Sequence, residues 1–256
     1  ISTYSVGFDH IDVNYAKKKK ISIGYTPEVL TNATAELTIG LMIDLLRRIT
    51  EGDHIIRKGK WTEIFGPFDY VGTEISGKTL GILGMGRIGK IVAKKASCLG
   101  MNILYHNRKT IAKSGKAKYV SLNELFKKSD VITVHVPYSK NTHHMINSAL
   151  LRKMKKTSFL INTSRGKIVN QKDLLKALQL KKIQGAALDV FEDEPYSGKL
   201  VEHENCILTS HMGPMSADCR IQMEIEATEE AIRFLTGEAL KSEVPQEEYD
   251  VQGFGL

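Results

Sequence analysis

Arg165, Glu194 and His211 sit in three short segments, Ile161-Asn-Thr-Ser-Arg-Gly166, Ala187-Leu-Asp-Val-Phe-Glu-Asp-Glu-Pro195 and Leu208-Thr-Ser-His-Met-Gly213, each placed where an apolar strand runs out. In an open α/β sheet ligands bind beyond the carboxyl ends of the strands, so three such segments can face one ligand. Together the side chains offer a cation for a carboxylate, a proton donor for a carbonyl oxygen, and an acid that favours the charged imidazole. Those are a protein's share of the requirements for reducing a 2-keto acid; the hydride must come from a nicotinamide. Singly, each residue has a plainer reading: a surface arginine, a satisfied histidine, a glutamate opening the turn before Pro195. His10, His54, His106, His135, His143, His144 and His203 keep that plainer reading, as do the cysteines and methionines.

A place for the nicotinamide cofactor is written in Thr79-Leu-Gly-Ile-Leu-Gly84-Met-Gly86-Arg-Ile-Gly89, a GxGxxG directly after a strand and at the start of a helix. In that context Gly84 permits the tight turn, Gly86 lets the backbone approach a pyrophosphate, and Gly89 lets helix pack on strand. The backbone N–H groups of Arg87 and Ile88, at the helix N-terminus, would bind the phosphates. A protein kinase also has a glycine loop, but neither its lysine strand nor its HRD-type catalytic loop appears. The second strand ends at Tyr105-His-Asn107-Arg108-Lys109. Where NAD-specific sites carry an acid for the ribose hydroxyls, this chain has neutral Asn107 followed by two cations able to pair with a 2′-phosphate. NADP(H) is therefore favoured over NAD(H); the plainer reading leaves Arg108 and Lys109 as solvated loop residues.

These groups need a frame. Strands are expected at Thr79–Leu83, Asn102–Tyr105, Val131–Val136, Ser158–Asn162, Gly185–Asp189 and Cys206–Thr209, with helices at Ile88–Leu99, Leu122–Lys127, Ser148–Lys153 and Gln171–Leu180. Short apolar strands alternating with helices indicate an α/β fold with a doubly wound parallel sheet. Before them come a strand end at Ser2 to Gly7, a short helix at Asp12–Lys18, a strand at Ile21–Tyr25, and one long buried helix from Thr34 to about Lys58. Thr62 to Gly77 reads as a loop, and a last helix, Ser216–Leu235, precedes a polar tail.

The 256 residues carry 42% hydrophobic and 25% charged side chains, enough for one large domain or two modest ones. No apolar run approaches the roughly 20 residues of a membrane span. Three cysteines without CxxC spacing argue for a reducing compartment and against a disulfide framework or a metal site. The net charge of +7 sits in runs such as Lys17–Lys20 and Arg152–Lys156 that lack aromatic interleaving, so anionic substrate and cofactor account for it better than nucleic acid. The chain opens at Ile1, already inside a strand-like segment, and is expected to be a piece of a longer product.

Ser164-Arg-Gly166, Leu188-Asp-Val-Phe with Glu194-Pro195, and Ser210-His-Met-Gly213, in this order after GxGxxG, resemble the motifs of the D-isomer-specific 2-hydroxyacid dehydrogenases, and the likeness covers essentially the whole chain. The resemblance implies that Arg165, Glu194 and His211 are the catalytic residues, with His211 as proton donor. It places the nicotinamide amide on Asp189 and the cofactor lining on Thr34, Val136, Pro137, Thr163 and Gly213. The substrate carboxylate would be held by the Ser5-Val6-Gly7 backbone, with Arg165 and His211 also on the substrate. A Rossmann-type coenzyme domain at residues 32–213 and a partial flavodoxin-like substrate domain at 1–31 and 214–256 follow from it. The family's smaller domain starts with two further strand–helix units, about 60 residues.

Within the family, Gly24 to Glu36, Ile168 to Asp173 and the acid-free Asn107-Arg108 are similar to glyoxylate/hydroxypyruvate reductases. Met212 and Pro214 depart from the usual pattern at the pocket edge. The long helix points to a homodimer, and composition and cysteine usage to a cytoplasmic or organellar protein bound to neither nucleic acid nor membrane. Phosphoglycerate-type or D-lactate-type dehydrogenases stay open as alternatives, as does a nucleotide-sensing corepressor.

Overall fold

The computed structural model describes residues 1–66, 69–111 and 115–245; part of the loop read between Thr62 and Gly77, and the end of the second substrate segment, 246–256, lie outside them. The described chain forms α1 (Val13–Lys18), α2 (Thr31–Arg47), α3 (Ile49–Arg57), β1 (Thr79–Leu83), α4 (Arg87–Cys98), β2 (Asn102–His106), β3 (Lys118–Tyr119), α5 (Leu122–Lys128), β4 (Val131–Val134), α6 (Ser148–Leu151), β5 (Phe159–Asn162), α7 (Gln171–Gln179), β6 (Gly185–Leu188), β7 (Cys206–Leu208) and α8 (Ala217–Thr236).

The strands join into one sheet in the order β3-β2-β1-β4-β5-β6-β7, every pairing parallel. Parallel sheets need both faces covered, which is why β4, β5 and β6 are mostly apolar and buried throughout rather than alternating. On one face Ile132, Val134, Leu160 and Leu188 pack with Leu125, Phe126, Leu151 and Leu174 from α5, α6 and α7. On the other, Val131, Ile161, Leu80 and Ile82 pack with Met42, Leu45 and Val92 from α2 and α4. The strand order reverses between β1 and β4, and this switch point opens a crevice at the carboxyl ends of the strands.

Two expectations about the elements need correction, and one strand was not expected at all. The single helix expected from Thr34 to Lys58 is two, α2 and α3, broken at Arg48, which adopts a left-handed conformation with φ of 57°. Asp44 stabilises the break: its carboxylate accepts from the Thr50 backbone N–H at 2.7 Å and from the Thr50 hydroxyl at 2.5 Å. The second helix is thus capped from the side of the first. Ile21–Tyr25 and Ser2–Gly7 form no strand; they meet in the single bridge Ser2–Gly24, and Gly24 also bridges Glu243. Residues 1–31 and 214–245 consequently contribute α1, α8 and isolated bridges, but no sheet. Finally, β3 had no warning in the sequence, being only two residues, both exposed.

Candidate active site

At the switch point the chain turns from β1 into α4 through Gly84, Met85 and Gly86. Gly84 has φ of +100°, and a Cβ there would stand 2.7 Å from the His135 carbonyl carbon, so the turn needs glycine twice over. A Cβ on Gly89 would overlap the Gly84 carbonyl oxygen, while Gly86 faces open space. No side chain caps α4 at Gly86, which leaves its first amides, including those of Arg87 and Ile88, turned to the crevice. A phosphate diester fits this cradle: uncapped donors, open space above Gly86 and the positive end of the helix dipole coincide. Asn107 closes the turn by accepting the Met85 N–H on its Oδ1 at 2.6 Å, and the exposed Arg108 and Lys109 follow it beyond β2.

Across β5, β6 and β7, adjacent strands carry the three segments expected to do chemistry. Asp189, fully buried, organises the third of them. Its Oδ1 accepts from the Thr209 hydroxyl and the Met212 N–H, both at 2.6 Å, and its Oδ2 accepts from the Gly213 N–H at 2.8 Å. The His211 N–H donates to the Asp189 carbonyl at 2.9 Å. These four bonds hold His211 at a φ of 55°, with its ring Nδ1 2.8 Å from Glu194 Oε2. An ionised carboxylate can only accept, so Nδ1 carries the proton there and Nε2 is not used in that bond. The other oxygen, Glu194 Oε1, accepts from the Phe191 N–H at 2.9 Å, so the acid is fixed from behind.

Arg165 leaves β5 through a turn organised by buried Asn162, whose amide donates to the Arg165 carbonyl at 2.9 Å and whose Oδ1 accepts from the Ser164 hydroxyl at 2.9 Å. Its guanidinium reaches the 1–31 segment and lies where a Cβ on Gly7 would be. Val6, beside Gly7, packs against the cluster of Leu30, Cys219 and Met223.

Thr34, Gly213 and Asp189 converge: a Cβ on Gly213 would meet the Thr34 hydroxyl at 3.3 Å and Asp189 Oδ2 at 3.5 Å. Thr163 shares a 2.8 Å hydroxyl contact with Thr38 of α2. Val136 is half-buried and Pro137 exposed on the segment after β4. His135 follows β4 beside Gly84, and burial pushes its imidazole down to about 3, so it stays neutral. Burial likewise pushes the Cys206 thiol up to about 12. Asn162, Thr209 and Asp9, which bonds to Arg165, were not picked out from sequence; only their places beside Ser164-Arg-Gly166, before His211 and after Gly7 hinted at a role.

Residues 39–213 match the model of the D-isomer specific 2-hydroxyacid dehydrogenase NAD binding domain. A glyoxylate reductase of Thermofilum pendens is 44% identical over 244 residues, covering 93% of this chain and 72% of the relative. The crystal structure of a glyoxylate reductase from Paecilomyes thermophila superposes with a TM-score of 0.88 at 37% identity, over 95% of this chain and 74% of that one. A D-lactate dehydrogenase from Aquifex aeolicus, complexed with NAD and lactic acid, gives a TM-score of 0.84 at 34% identity, over 92% and 76% of the two chains. With the parallel sheet, the glycine turn and the His211–Glu194 pair in place, these likenesses establish that the chain belongs to the D-isomer-specific 2-hydroxyacid dehydrogenase family.

Proposed function

We propose that the chain reduces a small 2-keto acid, glyoxylate or hydroxypyruvate, to the D-2-hydroxy acid, with NADPH preferred over NADH. The observation that carries the reading is the 2.8 Å pair between His211 Nδ1 and Glu194 Oε2 at the end of the strands that also present Arg165. Arg165 is the anchor for the substrate carboxylate, helped by the backbone at Val6 and Gly7. His211 Nε2 donates a proton to the carbonyl oxygen as it becomes an alcohol, and Glu194 compensates the imidazolium charge before transfer. A nicotinamide held against Thr34, Val136, Pro137, Thr163, Asp189 and Gly213 supplies the hydride. Residues 32–213 act as the coenzyme domain, and 1–31 with 214–256 as part of the substrate domain. Three free cysteines fit a reducing, cytoplasmic setting.

Absorbance at 340 nm tests the reaction, with glyoxylate, hydroxypyruvate and pyruvate each offered with NADH and with NADPH. Cofactor binding without turnover on any of them would move the reading to a nucleotide-sensing partner protein. Arg108→Ala checks the cofactor preference: it should lower kcat/KM for NADPH by about tenfold or more, as loss of a charge-assisted bond to phosphate does, and leave NADH nearly unchanged. Equal loss with both cofactors would refute the role of Arg108.

The homodimer is proposed through the C-terminal part of the region expected to carry it. Of the two helices that make up that region, α2 buries Leu41, Met42, Leu45 and Leu46. The region's exposed apolar side chains lie on α3 and the following loop, at Ile49, Ile56, Trp61, Ile64 and Phe65. Ile64 is 91% exposed, and a patch of this kind marks an interaction surface. Sedimentation velocity should show a dimer that Ile64→Asp weakens; a monomer at micromolar concentration in the unsubstituted chain rules the dimer out.

A further inference from the structure

Asp9 belongs to no role assigned so far. It sits in the turn after Gly7, where the Ile11 N–H closes on the Phe8 carbonyl at 2.9 Å. Phe8, fully buried and edge-on to Tyr25 at 6.0 Å, anchors that turn. The turn presents the Asp9 carboxylate to Arg165, with Nε at 3.0 Å from Oδ1 and 3.2 Å from Oδ2. Both partners are largely shielded from solvent, their side chains 30% and 25% exposed for Arg165 and Asp9. On the other flank, Arg165 Nη1 donates to the Ser164 carbonyl at 2.9 Å. Asp9 also lies close enough to Tyr138 that its charge, added to burial, raises the phenol's pKa.

A guanidinium has five N–H donors in a fixed plane and can take a carboxylate on more than one edge. With Nε committed to Asp9 and one Nη1 hydrogen to Ser164, the edge left is the terminal one, formed by Nη1 and Nη2, and Nη2 lies against Gly7. We propose that Asp9 is a positioning residue: by holding Nε it turns the terminal Nη1–Nη2 edge of Arg165 toward the Gly7 backbone, so that a substrate carboxylate is bound end-on between them. The inference rests on Arg165 being the carboxylate anchor. Two physical effects oppose each other here. As a fixed acceptor Asp9 orders the arginine; as an anion it repels the substrate. The geometry assigns the ordering effect the larger part, because Arg165 has no other side-chain partner among its described hydrogen bonds.

The sign of the effect tests this. The dissociation constant of oxamate, an unreactive 2-oxo monocarboxylate, is measured by calorimetry on the full chain saturated with NADPH, beside the KM for glyoxylate. Asp9→Ala should weaken both by about tenfold, the scale of a lost bond to a charged group, and leave the KM for NADPH unmoved. Asp9→Asn keeps an oxygen for Nε and should stay within about threefold of the unsubstituted chain; should Asp9→Ala fail to fold, Asp9→Ser, too short to reach Nε, stands in for it. On an Arg165→Gln background, Asp9→Ala should add less than about twofold, since the two act through one contact. Tighter oxamate binding in both Asp9 variants, or an Asp9→Ala constant within about twofold of the unsubstituted chain, overturns the proposal. Unchanged oxamate binding in Arg165→Gln alone would bring down the anchor reading with it.

Discussion

Replacing His211 by asparagine lowers kcat for keto-acid reduction by about 10²–10⁴-fold, the usual worth of a positioned general acid, and leaves the KM for the coenzyme within about threefold. Asparagine is chosen because His211 has φ of 55°, a conformation asparagine tolerates well, so backbone strain is not added to the chemical loss. The loop is held independently of the ring, through the Met212 and Gly213 N–H bonds to Asp189, and should keep its shape. Glu194→Gln is expected to cost less: an amide oxygen can still accept the Nδ1–H, and only the charge compensating the imidazolium is lost. Stopped-flow and steady-state rates on both variants decide the matter. A His211→Asn enzyme with kcat within about threefold of the unsubstituted one would remove the histidine from the proton path.

The sequence was informative where physics restricts the residue type. Only glycine can stand at Gly84 and Gly89 without displacing backbone, so the turn could be read from spacing alone. Strands buried on both faces must be largely apolar, so β1, β4, β5 and β6 stood out within a residue or two, and the apolar edge strand β7 with them. What stayed hidden depends on contacts remote in sequence or on residues with no local preference. Arg48 breaks the long helix although no glycine or proline marks the place; the break is stabilised by the Thr50 N–H donating to the Asp44 carboxylate. Asp9 and Arg165 are 156 residues apart, and neither predicts the other. Asp189 was assigned to the nicotinamide amide through the family resemblance; its second task, folding the loop that bears His211, is visible only in three dimensions.

Gly166 shows the same limit with a larger consequence. In the sequence it is the last letter of a motif whose arginine takes the interest. In the structure a Cβ on Gly166 would overlap the Phe191 carbonyl group and approach the Glu192 nitrogen at 2.5 Å. That neighbour cannot yield cheaply. The Phe191 ring stacks on Tyr196 at 4.4 Å, the Phe191 N–H is bonded to Glu194, and Glu192 Oε1 accepts from the Gln171 N–H at 2.7 Å. Gly166→Ala therefore forces apart two backbone segments, one carrying Arg165 and the other Glu194. Overpacking against rigid backbone should cost about 3 kcal/mol or more, a fall in Tm on the order of 10 °C for a chain of this size. In the fraction that still folds, a shift near 1 Å between anchor and acid should lower kcat/KM on the order of 10²-fold. Calorimetric melts and initial rates on the same preparation separate the two losses. A Tm within about 2 °C of the unsubstituted chain would mean that the segment at Phe191 can move aside, and the tight coupling between Arg165 and Glu194 argued from this contact would not hold.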